Sequence, residues 1–529
     1  MPPSRQHRLL TSFMRRLFFS LLILFGLVAN TGASAGGSAS DVAIGIASID
    51  PSVVKQLGAE DSDVKIAAIR KLAQTAEPEA IKILQQLADG TLKGPSGDDI
   101  TINNRVRREI DAAMGALKLF DADPVQRMKA AREVAANADA SMAPVLAKAA
   151  TNETEPKIKR LLAEAHALAT LKHDDIEVRI AATKVLAGSA DPNIKAVLKA
   201  QSEPSNEAET LVRRAAFQAY LEVKDRLTLA ETVGRIFSGL SLGSILLLAA
   251  LGLAITYGVM GVINMAHGEL LMIGAYATFA MQALFRSYFP EHLDWYLVAA
   301  VPVAFFAAAG VGVLLERTVI RWLYGRPLET LLATWGLSLI LIQAARVVFG
   351  AQNVEVANPV WMSGGLELLP SIVLPLNRIV IIGFSLFVLV LVWALMNRTR
   401  LGMFVRAVTQ NRPMAGCVGV PTSRIDTVAF ALGAGIAGLG GVALSQIANV
   451  GPDMGQGYIV DSFMVVVLGG VGQLAGAVWA ALGLGIFSKF LESWAGAVVA
   501  KIVVLVIIIM FIQKRPQGLF ALKGRFVEN

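Results

Sequence analysis

Residues 255–276 read ITYGVMGVINMAHGELLMIGAY. Asn264, His267 and Glu269 interrupt a stretch that is otherwise apolar from Ile255 to Ala280. A membrane span needs about 20 such residues, and ionisable groups at that depth are expensive, so they face a cavity, a partner or a pathway. Gly258, Gly261 and Gly268 surround the trio and permit a broken helix, whose freed backbone groups line a polar site. Two readings stand side by side. The trio lines a pathway, or His267 and Glu269 satisfy one another or a neighbouring backbone group as structural glue.

Outward from this stretch, apolar segments recur at 236–257, 259–282, 296–315, 329–349, 378–396, 426–449, 459–472, 474–491 and 497–513. The stretch 459–472 is short and glycine-rich, which suits a half-helix or a re-entrant segment. The expected fold class is all-α, a polytopic membrane helix bundle of about 8–9 spans, some broken. Two small-residue stripes, Gly433/Ala437/Gly441 and Gly472/Gly476/Ala480, predict close helix packing. The densest basic loops hold Arg317, Arg321 and Arg326; then Arg398, Arg400, Arg406, Arg412 and Arg424; then Lys514, Arg515, Lys523 and Arg525. All three are expected in the cytoplasm. Nine crossings that start outside and end inside satisfy that. The segment 350–377, with Pro359, Pro370 and Pro375, is then a periplasmic loop.

Composition sets this region apart from what precedes it. Over all 529 residues, 54% are hydrophobic and 17% charged, too apolar for an ordinary soluble protein. Residues 41–235 carry 29 acidic and 27 basic residues, whereas the 294 residues from 236 onward carry only 12 and 17. The net charge of +7 is completed by Arg5, Arg8, Arg15 and Arg16, so it is no nucleic-acid footprint. Those arginines, the apolar run Leu17–Val28 and Ala33-Ser34-Ala35 match a secretory signal peptide over 1–35. The alternative is an uncleaved anchor. Either way the following segment is exported.

Residues 41–230 carry apolar positions at helical spacing. Ile66, Ile69, Leu72 and Ala73 share one face, and the phrase recurs at Val125–Ala135 and Val178–Ala187. Each copy begins just after an acidic residue or an Asp-Pro, as a helix N-terminus does. The offsets of 61 and 53 residues are irregular, so a HEAT-like helical repeat and an irregular helical domain both remain open. No catalytic constellation occurs. His166 and His173 read as surface histidines, and the single cysteine, Cys417, excludes a disulfide framework or a multi-cysteine metal site. No G-x-x-x-x-G-K-[ST] is present, so the chain has no ATPase loop of its own.

The opening stretch, together with Ser241-Leu242-Gly243-Ser244, resembles permease subunits of branched-chain amino acid-type ABC importers. LLATWGLSLI (331–340), TRLGMFVRAV (399–408), GVPTSRIDTVAFALGAGIAGLGGVAL (419–444), VVLGGVG (466–472) and RPQGLF (515–520) follow in the family's order. The resemblance covers roughly 236–522; with the segments read above, the expected domain plan is leader 1–35, periplasmic helical domain 41–230 and permease domain 236–522. The family often has Pro-Gly-Ala where this chain has Ala475-Gly476-Ala477. An exported helical extension ahead of the permease looks like the urea-type subgroup, with branched-chain amino acids or short amides as the other solutes.

The resemblance implies a subunit of the bacterial inner membrane that is not itself an enzyme. Its partners are a homologous second permease, two cytoplasmic ATPases, a periplasmic solute-binding protein and membrane lipid, without nucleic acid. The chain binds no cofactor or metal, and ATP is used by the partner subunits. The segment from Arg406 through Gln410, Asn411, Ala415, Gly416 and Gly419 matches the family's ATPase-coupling loop, with Ala415 and Gly416 allowing close contact and Gly419 ending the helix. Urea calls for hydrogen-bonding partners rather than a charge clamp. Ser241, Ser244, Thr256, Asn264, His267 and Glu269 are the candidate pathway residues. A passive urea or amide channel and a membrane-anchored scaffold are the competing functions.

Overall fold

A computed structural model describes residues 53–520, apart from 54–55, 60, 76–77, 90, 93–99, 101, 137–138, 370–371 and 517. The expected leader at 1–35 lies outside the described residues. The chain forms two compact units, one of residues up to 137 with 141–162, the other of 138–140 and 163 onward.

The first unit contains α1 (Ser62–Thr75), α2 (Pro78–Ala88), α3 (Asn104–Leu117), α4 (Pro124–Ala136), α5 (Ala143–Asn152) and the start of α6 (Pro156–Thr170). Its core is the face read from the sequence. Ile66, Ile69, Leu72 and Ala73 are buried with Leu84, Ile110, Leu117 and Val145. The acidic starts are caps: the Asp123 carboxylate accepts from Val125 N at 2.9 Å, ahead of Pro124 at the helix start. Arg127 and Glu153 form a two-point ion pair, Nε–Oε2 at 2.9 Å and Nη2–Oε1 at 3.1 Å. Thr154 N and Glu155 N also donate to Glu153 Oε1. The Arg127 hydrogen bond outweighs burial and holds the Glu153 carboxyl below its ordinary range. A depressed folded pKa adds stability above the unfolded carboxyl range, lost as pH falls through the folded value. Acid unfolding of wild type followed by helical circular dichroism is therefore expected to lose a component that Glu153→Gln lacks. Identical pH profiles would contradict this.

In the second unit, the rest of α6, α7 (Ile176–Ala187) and α8 (Pro192–Gln201) pack on the first half of α9 (Thr210–Met260). Asp175 and Asp191 cap α7 and α8. His173 is exposed, but His166 is half-buried, and burial lowers its pKa. α9 runs unbroken for 51 residues, so the change in composition near residue 235 falls inside one helix.

Among the described residues, eight helices are long and apolar enough to cross a membrane. They are α9, α10 (His267–Tyr288), α11 (Tyr296–Thr318), α12 (Pro327–Phe349), α13 (Leu376–Arg398), α16 (Thr422–Ser445), α18 (Leu474–Ala495) and α19 (Ala497–Lys514). The ninth expected segment is α17 (Met454–Gly469), a shorter helix of 16 residues. Two short helices, α14 (Arg400–Gln410) and α15 (Arg412–Cys417), join α13 to α16. The chain is thus a mostly helical, multi-pass membrane protein.

Burial sorts the spans. In α9, α10 and α16, 72%, 56% and 83% of the most apolar window is buried, against 17–33% for the other five. Three helices form the centre and the rest surround them. Glycine makes the centre possible: a Cβ on Gly252 would sit 2.4 Å from the Gly433 carbonyl oxygen, and one on Gly441 2.0 Å from that of Leu271. The second stripe begins one turn later than the sequence suggested. Gly472 lies at φ +75° in the turn before α18, and Gly476 is the residue that meets Gly469. The 350–377 segment contains an antiparallel pair, β1 (Gly365–Leu369) and β2 (Ile372–Pro375), not expected from the sequence.

Candidate functional site

α9 stops at Met260 because Gly261 adopts φ +66°, and its N–H caps the Tyr257 carbonyl at 2.9 Å. Residues 261–266 are not helical. α10 begins at His267, whose Nε2 lies 3.0 Å from the Ala249 carbonyl oxygen. A carbonyl only accepts, so Nε2 carries the proton. Ala249 is 11 residues back from Met260 along α9, about 16 Å at 1.5 Å per residue. The six-residue link therefore climbs back deep into the spanning region. Irregular backbone survives there only when protein satisfies it. Met265 N donates to Thr334 Oγ1 at 3.1 Å, and Ala266 N to Asn264 Oδ1 at 3.0 Å.

His267 and Glu269 are two residues apart on a helix, about 200° around its axis, so they face different neighbours. They do not satisfy one another. His267 faces α9, whereas Glu269 Oε1 accepts from Ser338 Oγ of α12 at 2.5 Å. Glu269 Oε2 lies beside α17, where a Cβ on Gly455 would be 2.1 Å away. Glu269 is 1% exposed.

The other candidates divide. Ser244 and Thr256 turn their hydroxyls onto their own helix, to Leu240 O and to Gly252 O and Leu253 O. Ser241 is buried with an unpartnered Oγ among the described residues, eight residues along α9 from Ala249. Asn264 Nδ2, His267 Nδ1 and Glu269 Oε2 are likewise buried and unpartnered among the described residues. The start of α10 thus gathers Asn264, His267 and Glu269, but not Ser241 or Ser244. Thr334 and Ser338 join the site from α12 without having been singled out in the sequence; their signal is a Thr/Ser pair four apart in an apolar helix.

In the loop between α13 and α16, Asn411 caps α15, accepting from Met414 N at 3.0 Å, and Gly419 turns the chain at φ +88°. Arg406 is tied to the Met396 carbonyl, while Gln410, Asn411 and Gly416 are exposed. Ala415 points inward at 4% exposure, so it does not offer the contact surface its sequence context suggested. Met414 and Val418 are the exposed apolar residues there.

Behind α15 lies a polar cluster. Arg412 binds the buried Asp426 and stacks 4.9 Å over the Tyr324 ring. Arg321 meets the buried Glu316 at 3.2 Å, and Thr427 Oγ1 donates to the same carboxylate at 2.8 Å. The Tyr324 hydroxyl donates to Glu316 Oε1 at 3.2 Å and lies 3.2 Å from Met260 Sδ. Arg321 and Arg412 read from the sequence only as loop charges. The cluster they build joins α15, α16 and α11, and through Tyr324 reaches Met260, the last residue of α9.

The family described as "Branched-chain amino acid transport system / permease component" matches residues 235–512. The LivH high-affinity branched-chain amino acid transport permease of Escherichia coli K12 is 30% identical over 291 residues, 54% of this chain and 94% of LivH. BraD of Pseudomonas aeruginosa, another such permease, is 28% identical over the same shares. The ribose import permease RbsC of Escherichia coli K12 is 26% identical over 130 residues, 22% of this chain and 40% of RbsC. No solved structure matches the chain.

Proposed function

This chain belongs to the branched-chain amino acid transport permease family, and from that premise we propose that it is the membrane subunit of an ATP-driven importer moving urea into the cytoplasm. Family members are transport subunits, so the chain is not an enzyme. It works with a homologous second permease, two cytoplasmic ATPases that use ATP, and a solute-binding protein in the periplasm. It holds no cofactor itself. The leader at 1–35 exports residues 41–235 across the inner membrane, where the HEAT-like helices form a docking or spacing module.

One observation carries the choice of urea. LivH aligns over 94% of its length within 54% of this chain, so the helical extension ahead of residue 235 has no counterpart in it. Such an extension resembles the urea-type subgroup, and that resemblance supports urea as the solute. The names of the relatives favour a second reading, branched-chain amino acids.

ATPase contact is assigned to the loop from Arg406 to Gly419, through exposed Met414, Gly416 and Val418. Ala415 is a poor probe of that contact, because a charge there would be buried. The test is uptake of labelled urea and labelled leucine by cells carrying the complete transporter, with this chain present, absent or altered to Met414→Asp. Urea uptake that needs the chain and falls at least tenfold with Met414→Asp is expected, on loss of an interface anchor. Leucine uptake instead would transfer the role to the second reading. Urea flux indifferent to Met414→Asp would leave a passive channel.

A further inference from the structure

Two helices begin in contact inside the spanning region. α10, of 22 residues, starts at His267, and α17, of 16 residues, starts at Met454. They touch at Gly268 and Gly455, where a Cβ on either would come within 2.4 Å of the other's carbonyl oxygen. N-terminal turns present backbone N–H groups and the positive end of the helix dipole. Glu269 lies in the first turn of α10, with its Oε2 against the first turn of α17.

The carboxylate is only half occupied. Ser338 Oγ takes Oε1, and Oε2 has no hydrogen-bond partner among the described residues. Glu269 makes no ion pair among the described residues either. The neighbouring charge, Asp453, is already bound by Arg346 at 2.8 and 3.0 Å. A buried acceptor left bare costs free energy that a passing donor recovers. Two helix N-termini stabilise the negative charge without neutralising it, so the oxygen stays available to an N–H from the solute.

Resting on the importer reading, we infer that Glu269 is a solute-contacting residue midway through the pathway, oriented by Ser338, and that it selects solutes bearing N–H donors. Urea and short amides supply amide N–H groups, and an amino acid supplies its ammonium. The shared chemistry is N–H donation to Oε2.

The test compares Glu269→Gln, Glu269→Asp and Ser338→Ala in the complete transporter, using labelled urea, acetamide and leucine. Glutamine keeps the shape but turns a donor toward the solute, whereas aspartate keeps an acceptor. A packing role therefore favours glutamine, and a contact role favours aspartate. The expected result, at matched membrane assembly, is at least a tenfold loss of uptake for Glu269→Gln and several-fold more uptake for Glu269→Asp. The solute that shows the loss identifies which N–H source is used. Glu269→Gln within twofold of wild type, or at least as active as Glu269→Asp, overturns the inference. If neither Glu269 variant assembles, Ser338→Ala decides: a loss of threefold or more supports the contact, and unchanged uptake overturns it. A wild-type transporter that moves none of the three solutes would instead sink the importer reading itself.

Discussion

Arg412→Ala is expected to destabilise the membrane domain by about 3–5 kcal/mol, the usual result of stripping the partner from a buried charge. Asp426 has no exposed side-chain surface, and its Oδ1 has no hydrogen-bond partner among the described residues, so Arg412 supplies its direct ion pair there. Asp426→Asn should be milder, since Arg412 keeps the Tyr324 ring and is itself 37% exposed. The double variant should then recover part of the loss. Thermal unfolding in detergent of the two single variants and the double variant measures this as a cycle. If the loss in the double variant equals the sum of the two single losses, the pair carries no coupling. Because the cluster runs on through Tyr324 to Met260, uptake should fall along with stability.

The second large effect concerns a missing atom. A Cβ on Gly274 would lie 2.1 Å from the Gly438 carbonyl oxygen and 2.5 Å from its Cα, which are backbone atoms that cannot swing aside. Gly274→Ala must push α10 off α16, at a cost of about 3 kcal/mol or more. Gly383, inside the spanning helix α13, has nothing within 4 Å of its would-be Cβ, and Gly383→Ala should be neutral or slightly stabilising. The yield and melting temperature of the two variants in detergent provide the comparison. Equal behaviour would mean that α10 and α16 tolerate a wider separation than their contact suggests.

The parts legible in the sequence were those set by local chemistry. Apolar length marked the spans, and the brevity of 459–472 anticipated the 16-residue α17. Gly261 marked the break, since only a residue free of Cβ strain takes φ +66° cheaply. Partners distant in sequence were not legible. Ser338 stands 69 residues from Glu269, and Asp426 lies 14 beyond Arg412 on the far side of a turn. Nothing local distinguishes such a serine from one bonded to its own helix, as Ser244 is. Periodicity also gave no hint that His267 and Glu269 part company, although their two-residue separation contains the answer once a helix start is placed at 267. Composition located a change near residue 235 but not the continuity of the backbone through it, because helical hydrogen bonding is indifferent to which solvent surrounds the side chains.

That continuity makes α9 a lever. It has no proline, and its 51 residues amount to about 75 Å of rod. The 26 residues from 210 to 235, ahead of the apolar segment, form an arm of about 39 Å. A tilt of about 10° in the spanning part would therefore displace the arm's tip by about 7 Å, less whatever the helix absorbs by bending. A label near Thr210 would register small rotations at the centre of the bundle as large displacements. The same rigidity works in reverse: a load on the arm is a torque on the helix whose end sets the break at Gly261.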